Sequence, residues 1–118
     1  MNIEPELCRV EDALGIIVGK WKPVVLLQLL KNGTMRFSDL KREMPEITQK
    51  MLTKQLRELE AEDIVKREVY PQVPPKVEYS ITEYGLTLEP ILNDMHDWGT
   101  KHTMHKLKMN QEKSAEKI

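Results

Sequence analysis

Gln49, Lys50, Thr53, Lys54 and Arg57 recur at i, i+1, i+4, i+5 and i+8, a spacing that places all five on one side of a helix. The set holds three cations and no acid. Gln can pair with adenine edges, and Lys or Arg with guanine or phosphate. A helix also fits the major groove, so the chemistry these residue types suit is recognition of double-stranded DNA. Such a face equally describes ordinary solvated surface, and taken alone it leaves both readings open. Glu58, Glu60 and Glu62 come later in the segment. Between Arg36 and Lys76 acids and bases nearly balance, so their segregation carries the argument rather than their number.

Cys8 is the single cysteine. It stands near the start of a helical run, where the helix N-terminus and Arg9 favour the thiolate while Glu6 and Glu11 oppose it. One cysteine excludes an intrachain disulfide and points to a reducing, cytoplasmic setting. Alkylation by a small electrophile, a mixed disulfide or a Cys8–Cys8 bond between subunits remain open to it. So does a purely structural role as a small packed residue. His102 and His105 are three apart, a metal-compatible spacing. With His96 they lack acidic or cysteine ligands at matching positions, and they read as surface residues rather than a metal site. No Gly-rich phosphate loop, Ser-His-Asp set or separated carboxylate pair is present. Neither an enzyme nor a cofactor is expected.

The elements that must position these residues follow from periodicity. The 118 residues suit one domain. Hydrophobic residues make up 40%, which excludes a disordered chain, while a net charge of -1 gives no overall basic field. The opening Met1–Glu6 is acidic and unlike a signal peptide, and the most apolar stretch, Val24–Leu30, is too short to span a membrane. Leu7–Val18 has helical spacing and Gly19 ends it. Pro23 suits the first turn of a second, buried helix that stops at Asn32-Gly33. Ser38 is the expected cap of a short third helix, which Pro45 ends. Thr48 caps a fourth, with Ile47 stapled onto Leu52 and an apolar stripe of Leu52, Leu56 and Leu59. The period then becomes two. Val65–Tyr70 and Lys76–Ile81 read as a hairpin around Pro71-Gln72-Val73-Pro74-Pro75. Thr82 is expected to cap a last helix, kinked at Pro90, which frays into a polar tail over 106–118.

The resulting fold class is α+β and mostly helical: a winged helix-turn-helix with a two-stranded β-hairpin wing and terminal dimerisation helices, all in one domain over 1–118. Leu7, Leu14, Ile91, Leu92, Met95 and Trp98 offer more apolar surface than a small core absorbs. They are the expected subunit interface of a homodimer. Its symmetry would set the two recognition helices in successive major grooves, about 34–36 Å apart. The wing tip at Pro74-Pro75-Lys76, with Lys66 and Arg67 nearby, would reach the backbone or minor groove. Arg36 and Ser38 would meet phosphate at the start of the third helix.

These segments together resemble the HxlR-type transcriptional regulators, a branch related to MarR-like winged-helix proteins. The likeness runs from Cys8 to about Gly99 in an ordered set. It includes Cys8-Arg9-Val10-Glu11, Ile17-Val18-Gly19-Lys20-Trp21-Lys22 and Arg36-Phe37-Ser38-Asp39-Leu40-Lys41-Arg42. It continues through Ile47-Thr48-Gln49-Lys50-Met51-Leu52, Leu56-Arg57-Glu58-Leu59-Glu60, Val69-Tyr70-Pro71, Pro74-Pro75-Lys76-Val77-Glu78-Tyr79, Leu88-Glu89-Pro90-Ile91-Leu92 and Trp98-Gly99. The resemblance implies a homodimer on a pseudo-palindromic operator that controls transcription, and it implies a sensor role for Cys8 toward electrophiles or oxidants. The chain departs from the family pattern at Arg9, where Pro is common, and at Asp63, where Gly is. Asp63 can still adopt the left-handed conformation at modest cost. The alternative from another class is a winged-helix protein-interaction module without DNA binding.

Overall fold

Two helices form the opening third of the chain, α1 (Glu6–Ile17) and α2 (Lys22–Asn32). The computed structural model describes residues 6–17 and 19–116, with side chains described over 9–17 and 19–114. Pro23 occupies the first turn of α2, where its missing N–H leaves no hydrogen bond unmade. Gly33 closes α2 with a φ of 76°, and its N–H donates to the Leu29 carbonyl. One face of α2 is buried through Val25, Leu26 and Leu29. Val24 is exposed and Leu27 and Leu30 half-buried, so the helix is less enclosed than its composition suggests.

A short strand β1 (Met35–Arg36) leads directly into α3 (Phe37–Glu43), and α4 (Gln49–Ala61) follows. Thr48 caps α4 as expected: its Oγ1 accepts the Met51 N–H at 3.1 Å. Ile47 before the cap and Leu52 in the first turn are both buried. Leu52, Leu56 and Leu59 form the buried stripe of α4. Thr48→Ala leaves one orphan donor at that end. It should cost about 1 kcal/mol, measured as a fall in the denaturant midpoint at unchanged slope.

Strands β2 (Val65–Tyr70) and β3 (Lys76–Ile81) form the antiparallel hairpin, in a register that pairs Val65 with Ile81 and Tyr70 with Lys76. Asp63, at the turn into β2, holds a φ of 61°. The carboxylate residue therefore takes the left-handed position that glycine commonly fills. β1 adds to the free edge of β3, pairing Met35 with Tyr79 and Arg36 with Glu78. The sheet thus has three strands in the order β1-β3-β2, where the sequence reads as a two-stranded wing. A two-residue strand shows no alternation of its own, so only its partner reveals it.

The contacts divide the chain into two units between Thr87 and Leu88, where the sequence reads as one domain. In the first unit, α2 packs on α1, α3 and β3, and α4 packs on β2. The core joins Leu40, Met44, Ile64, Val65 and Tyr79 to the buried residues already named. The second unit is the helix α5 (Glu89–Glu116).

Four local expectations are corrected. Ser38 lies inside α3 rather than at its cap. The cap is Arg36, whose N–H donates to Asp39 Oδ2 at 3.1 Å, because β1 carries extended backbone up to that residue. Thr82 caps a 3-10 turn, Gly85–Leu88, through a 2.8 Å bond from the Gly85 N–H, and α5 begins after it. Pro90 is the second residue of α5, where an N–H has no intrahelical acceptor, so it costs no bond and needs no kink. Residues 106–116 remain helical instead of fraying, as their Lys, Leu, Met, Gln, Glu and Ala are good helix formers.

Candidate nucleic-acid interface

The buried stripe of α4 fixes what the opposite side presents. Gln49, Lys50, Lys54 and Arg57 are all exposed. Thr53 is half-buried, and its hydroxyl donates to the Gln49 carbonyl at 2.9 Å. A base contact by Thr53 would therefore use its methyl group or a remaining lone pair. Among the described residues no ion pair involves Lys50, Lys54 or Arg57, whereas Glu58 on the same helix pairs with Lys22 at 3.5 Å. The three cations of this face thus keep their charge unpaired among the described residues, while Glu58 is drawn toward α2.

Two depressions show what the fold brings beside α4. One, of about 660 Å³, is lined by Ser38 and Gln49 together with Phe37, Lys41, Arg42 and Pro45. It joins the starts of α3 and α4 and adds Lys41 and Arg42, which periodicity did not single out. Their signal in the sequence is the adjacent Lys-Arg pair ahead of the helix-turn-helix turn. Lys41 Nζ approaches the Pro45 carbonyl at 3.4 Å, and Arg42 lies 3.5 Å from Asp39. Asp39 therefore sets a carboxylate at the start of α3, which opposes the phosphate contact expected there. The second depression, of about 360 Å³, brings Thr53 and Arg57 against Arg67, Glu60 and Tyr79.

The wing residues are less united than the sequence suggests. Lys66 pairs across the hairpin with Ser80, and Arg67 with Tyr79. Adjacent strand residues point to opposite faces, so Arg67 joins α4 while Lys66 turns away from it. Both stand at the base of the hairpin. The tip lies beyond Tyr70, about four residues or roughly 13 Å further along from Lys66. The expectation that Lys66 and Arg67 lie near Pro74-Pro75 is corrected accordingly.

The outward face of the wing has its own chemistry. Glu68 and Glu78 sit directly opposite each other. Lys66 neutralises Glu68 at 3.7 Å and Lys76 neutralises Glu78 at 3.4 Å, with the Lys76 ammonium 4.7 Å above the Tyr70 ring. Partial removal from water, then the carboxylates of Glu68 and Glu78, hold the Tyr70 phenol above its usual 10.0. Lys76 must leave its acid to meet a phosphate, whereas the α4 cations need not.

The remaining residues lie on the terminal helices. Leu14, Ile91, Met95 and Trp98 are exposed, as an intersubunit surface requires. Leu92 is 1% exposed and presents no surface to a partner, which corrects its inclusion there. The side chains of Leu7 and Cys8 lie outside the described residues. The backbone of both belongs to α1.

A helix-turn-helix with this recognition-type helix and wing matches a family profile. HxlR-like helix-turn-helix describes residues 16–107. The chain belongs to this family of transcriptional regulators. HxlR-like relatives include the uncharacterized HTH-type transcriptional regulator YdeP of Bacillus subtilis (strain 168). It is 51% identical over 111 residues, covering 94% of this chain and 86% of that one. YybR of the same organism is 57% identical over 100 residues, covering 83% and 79%. Among solved structures, the redox regulator HypR in its reduced form superposes with a TM-score of 0.77 at 55% identity. The match covers 80% of this chain and 93% of that one. The fold of this HxlR-like chain is that of a MarR-type winged-helix regulator, with the strand β1 completing its sheet. Among the described residues no single helix is long and apolar enough to cross a membrane.

Proposed function

We propose that the chain is a sequence-specific DNA-binding regulator that acts as a homodimer on a pseudo-palindromic operator. The observation that carries this reading is the exposed row on α4, whose cations are free of acidic partners among the described residues. Gln49, Thr53 and Arg57 discriminate between bases. Lys50 and Lys54 neutralise phosphates, joined by Arg36, Ser38, Lys66, Arg67 and Lys76 at the edges. Leu7, Leu14, Ile91, Met95 and Trp98 hold the two copies together.

The salt dependence of binding tests this. Each phosphate contact contributes about 0.9 to the slope of log K against log salt. In a dimer Lys54→Ala removes two such contacts and should lower the slope by about 2. Titration of an operator duplex at several salt concentrations measures it, and an unchanged slope would remove Lys54 from the interface. A protein-interaction module would need large apolar residues exposed along α4, and the exposed positions there are Gln49, Lys50, Lys54 and Arg57, with only Ala61 at the last position.

Cys8 is the proposed sensor, responding to small electrophiles or oxidants. Supporting it are its place in the first turn of α1 and the likeness to HypR, described as a redox regulator in reduced and oxidized forms. Treatment with an electrophile should release wild-type protein from its operator. Cys8→Ser should stay bound under the same treatment, measured by fluorescence anisotropy. Release of the serine variant would dispose of the sensor.

A further inference from the structure

Helix α5 carries more order on its exposed side than a solvated helix needs. Ile91, Met95, Trp98, His102, His105 and Met109 are spaced by alternating steps of four and three, the a/d pattern of a coiled-coil seam. All six are exposed, with Trp98 at 65%. The seam is preformed at its centre. The Trp98 and His102 rings stack with centroids 4.9 Å apart and planes within 13°, and His105 continues the row at 6.5 Å. Charge is divided along the same helix, with Asp94 and Asp97 before this centre and Lys101, Lys106 and Lys108 after it. Gly99 sits in the middle, and a Cβ there would meet nothing within 4 Å. A glycine inside a helix costs up to about 1 kcal/mol against alanine, and a close helix crossing is a reason to keep one.

We propose that α5 pairs antiparallel with α5 of a second copy, crossing near Gly99, so that His102 and His105 of both copies form a titratable centre of the interface. This rests on the homodimer proposed above and adds its register and its pH dependence. In that register the layers are Trp98 with the partner's His102, Met95 with the partner's His105, and Ile91 with the partner's Met109. Asp94 then flanks the partner's Lys108, and the charge division becomes complementary away from the centre, where Lys101 meets the partner's Lys101. A parallel pair would set acids against acids and lysines against lysines.

Four imidazoles then share one short stretch of buried seam. Lys101, Lys106 and Lys108 flank them on their own helix. Across the seam they meet the partner's Trp98 and Met95, with the partner's Asp94 and Lys101 at the margin. Removal from water, the lysines and the crowding of imidazoles all disfavour the charged form, and together they outweigh the aromatic stack and Asp94. The histidines bind protons more weakly in the pair than apart, so acid favours the separated chains.

Sedimentation of the full chain without DNA, in the presence of a chelator, tests both features. The dimer dissociation constant should rise at least tenfold between pH 7.5 and 5.5, as the histidines of both copies take up protons on separation. His102→Gln with His105→Gln should reduce that change to under about threefold, with helicity by circular dichroism unchanged. Asp94→Lys and Lys108→Asp should each weaken the dimer at pH 7.5, and the double variant should restore it. The two positions are 14 residues apart, about 21 Å along one helix, so rescue reports contact between chains. A pH-independent dimer, a slope kept by the glutamine variant, or a double variant no better than the singles overturns this inference alone. A chain that is monomeric at every pH overturns the homodimer reading as well.

Discussion

Replacing Lys50 and Lys54 together with glutamate should lower affinity for duplex DNA by more than about a hundredfold at 0.1 M salt. The estimate follows from counterion release. Each neutralised phosphate contributes about 0.9 log units at that salt concentration, and a dimer loses four contacts. That is more than three log units before any repulsion from the new carboxylates is added. The fold should be untouched. Both lysines are exposed and outside every ion pair among the described residues, while the stripe that anchors α4 is buried on the other side. Anisotropy titration beside a thermal melt separates the effects. A melting temperature within a degree or two of wild type, with binding lost, is the expected pair of results. Retained binding at unchanged salt slope would place the interface elsewhere.

Gly85→Ala should cost about 2–3 kcal/mol, the upper part of the range for overpacking, and lower the melting temperature by roughly 10 °C. Gly85 begins the 3-10 turn between β3 and α5. A Cβ built there would collide with the Ile64 carbonyl oxygen and lie 2.7 Å from Ile81 Cγ2. The carbonyl cannot simply rotate away, because it accepts the Thr82 N–H at 3.0 Å. Relief requires β3 and the turn before β2 to separate. At Gly15, Gly19, Gly33 and Gly99 a Cβ meets nothing within 4 Å. Gly15→Ala, which adds helix propensity at an open site of α1, is the matched control and should not lower the melting temperature. Equal melting of Gly85→Ala and wild type would mean the turn relaxes without loss.

The two variants divide the molecule in a useful way. The lysine pair bears on binding and leaves packing alone, whereas Gly85 bears on packing and touches no proposed DNA contact. The wing lies between these extremes. Its acids, Glu68 and Glu78, hold Lys66 and Lys76 against the strand face, so any phosphate must compete with a carboxylate already in place. α4 therefore dominates the proposed affinity, and the wing adds less than its count of cations suggests.

Much of this was legible because it is local. The stripe of Leu52, Leu56 and Leu59 follows from a period of 3.6, and burying it dictates that Gln49, Lys50, Lys54 and Arg57 face water. The cap at Thr48, the hairpin and the positive φ of Asp63 likewise depend on residues within a few positions of each other. What the sequence could not decide joins distant segments. β1 exists because Met35 and Arg36 meet Tyr79 and Glu78, more than forty residues away. Glu58 reaches Lys22, and Arg67 joins Thr53 and Arg57 in one depression. Gly85 is constrained by Ile64. Hydrophobic periodicity records which side of an element is buried, but not against what. Strand partners, ion pairs and steric limits on a glycine depend on that second fact, and only the tertiary structure supplies it.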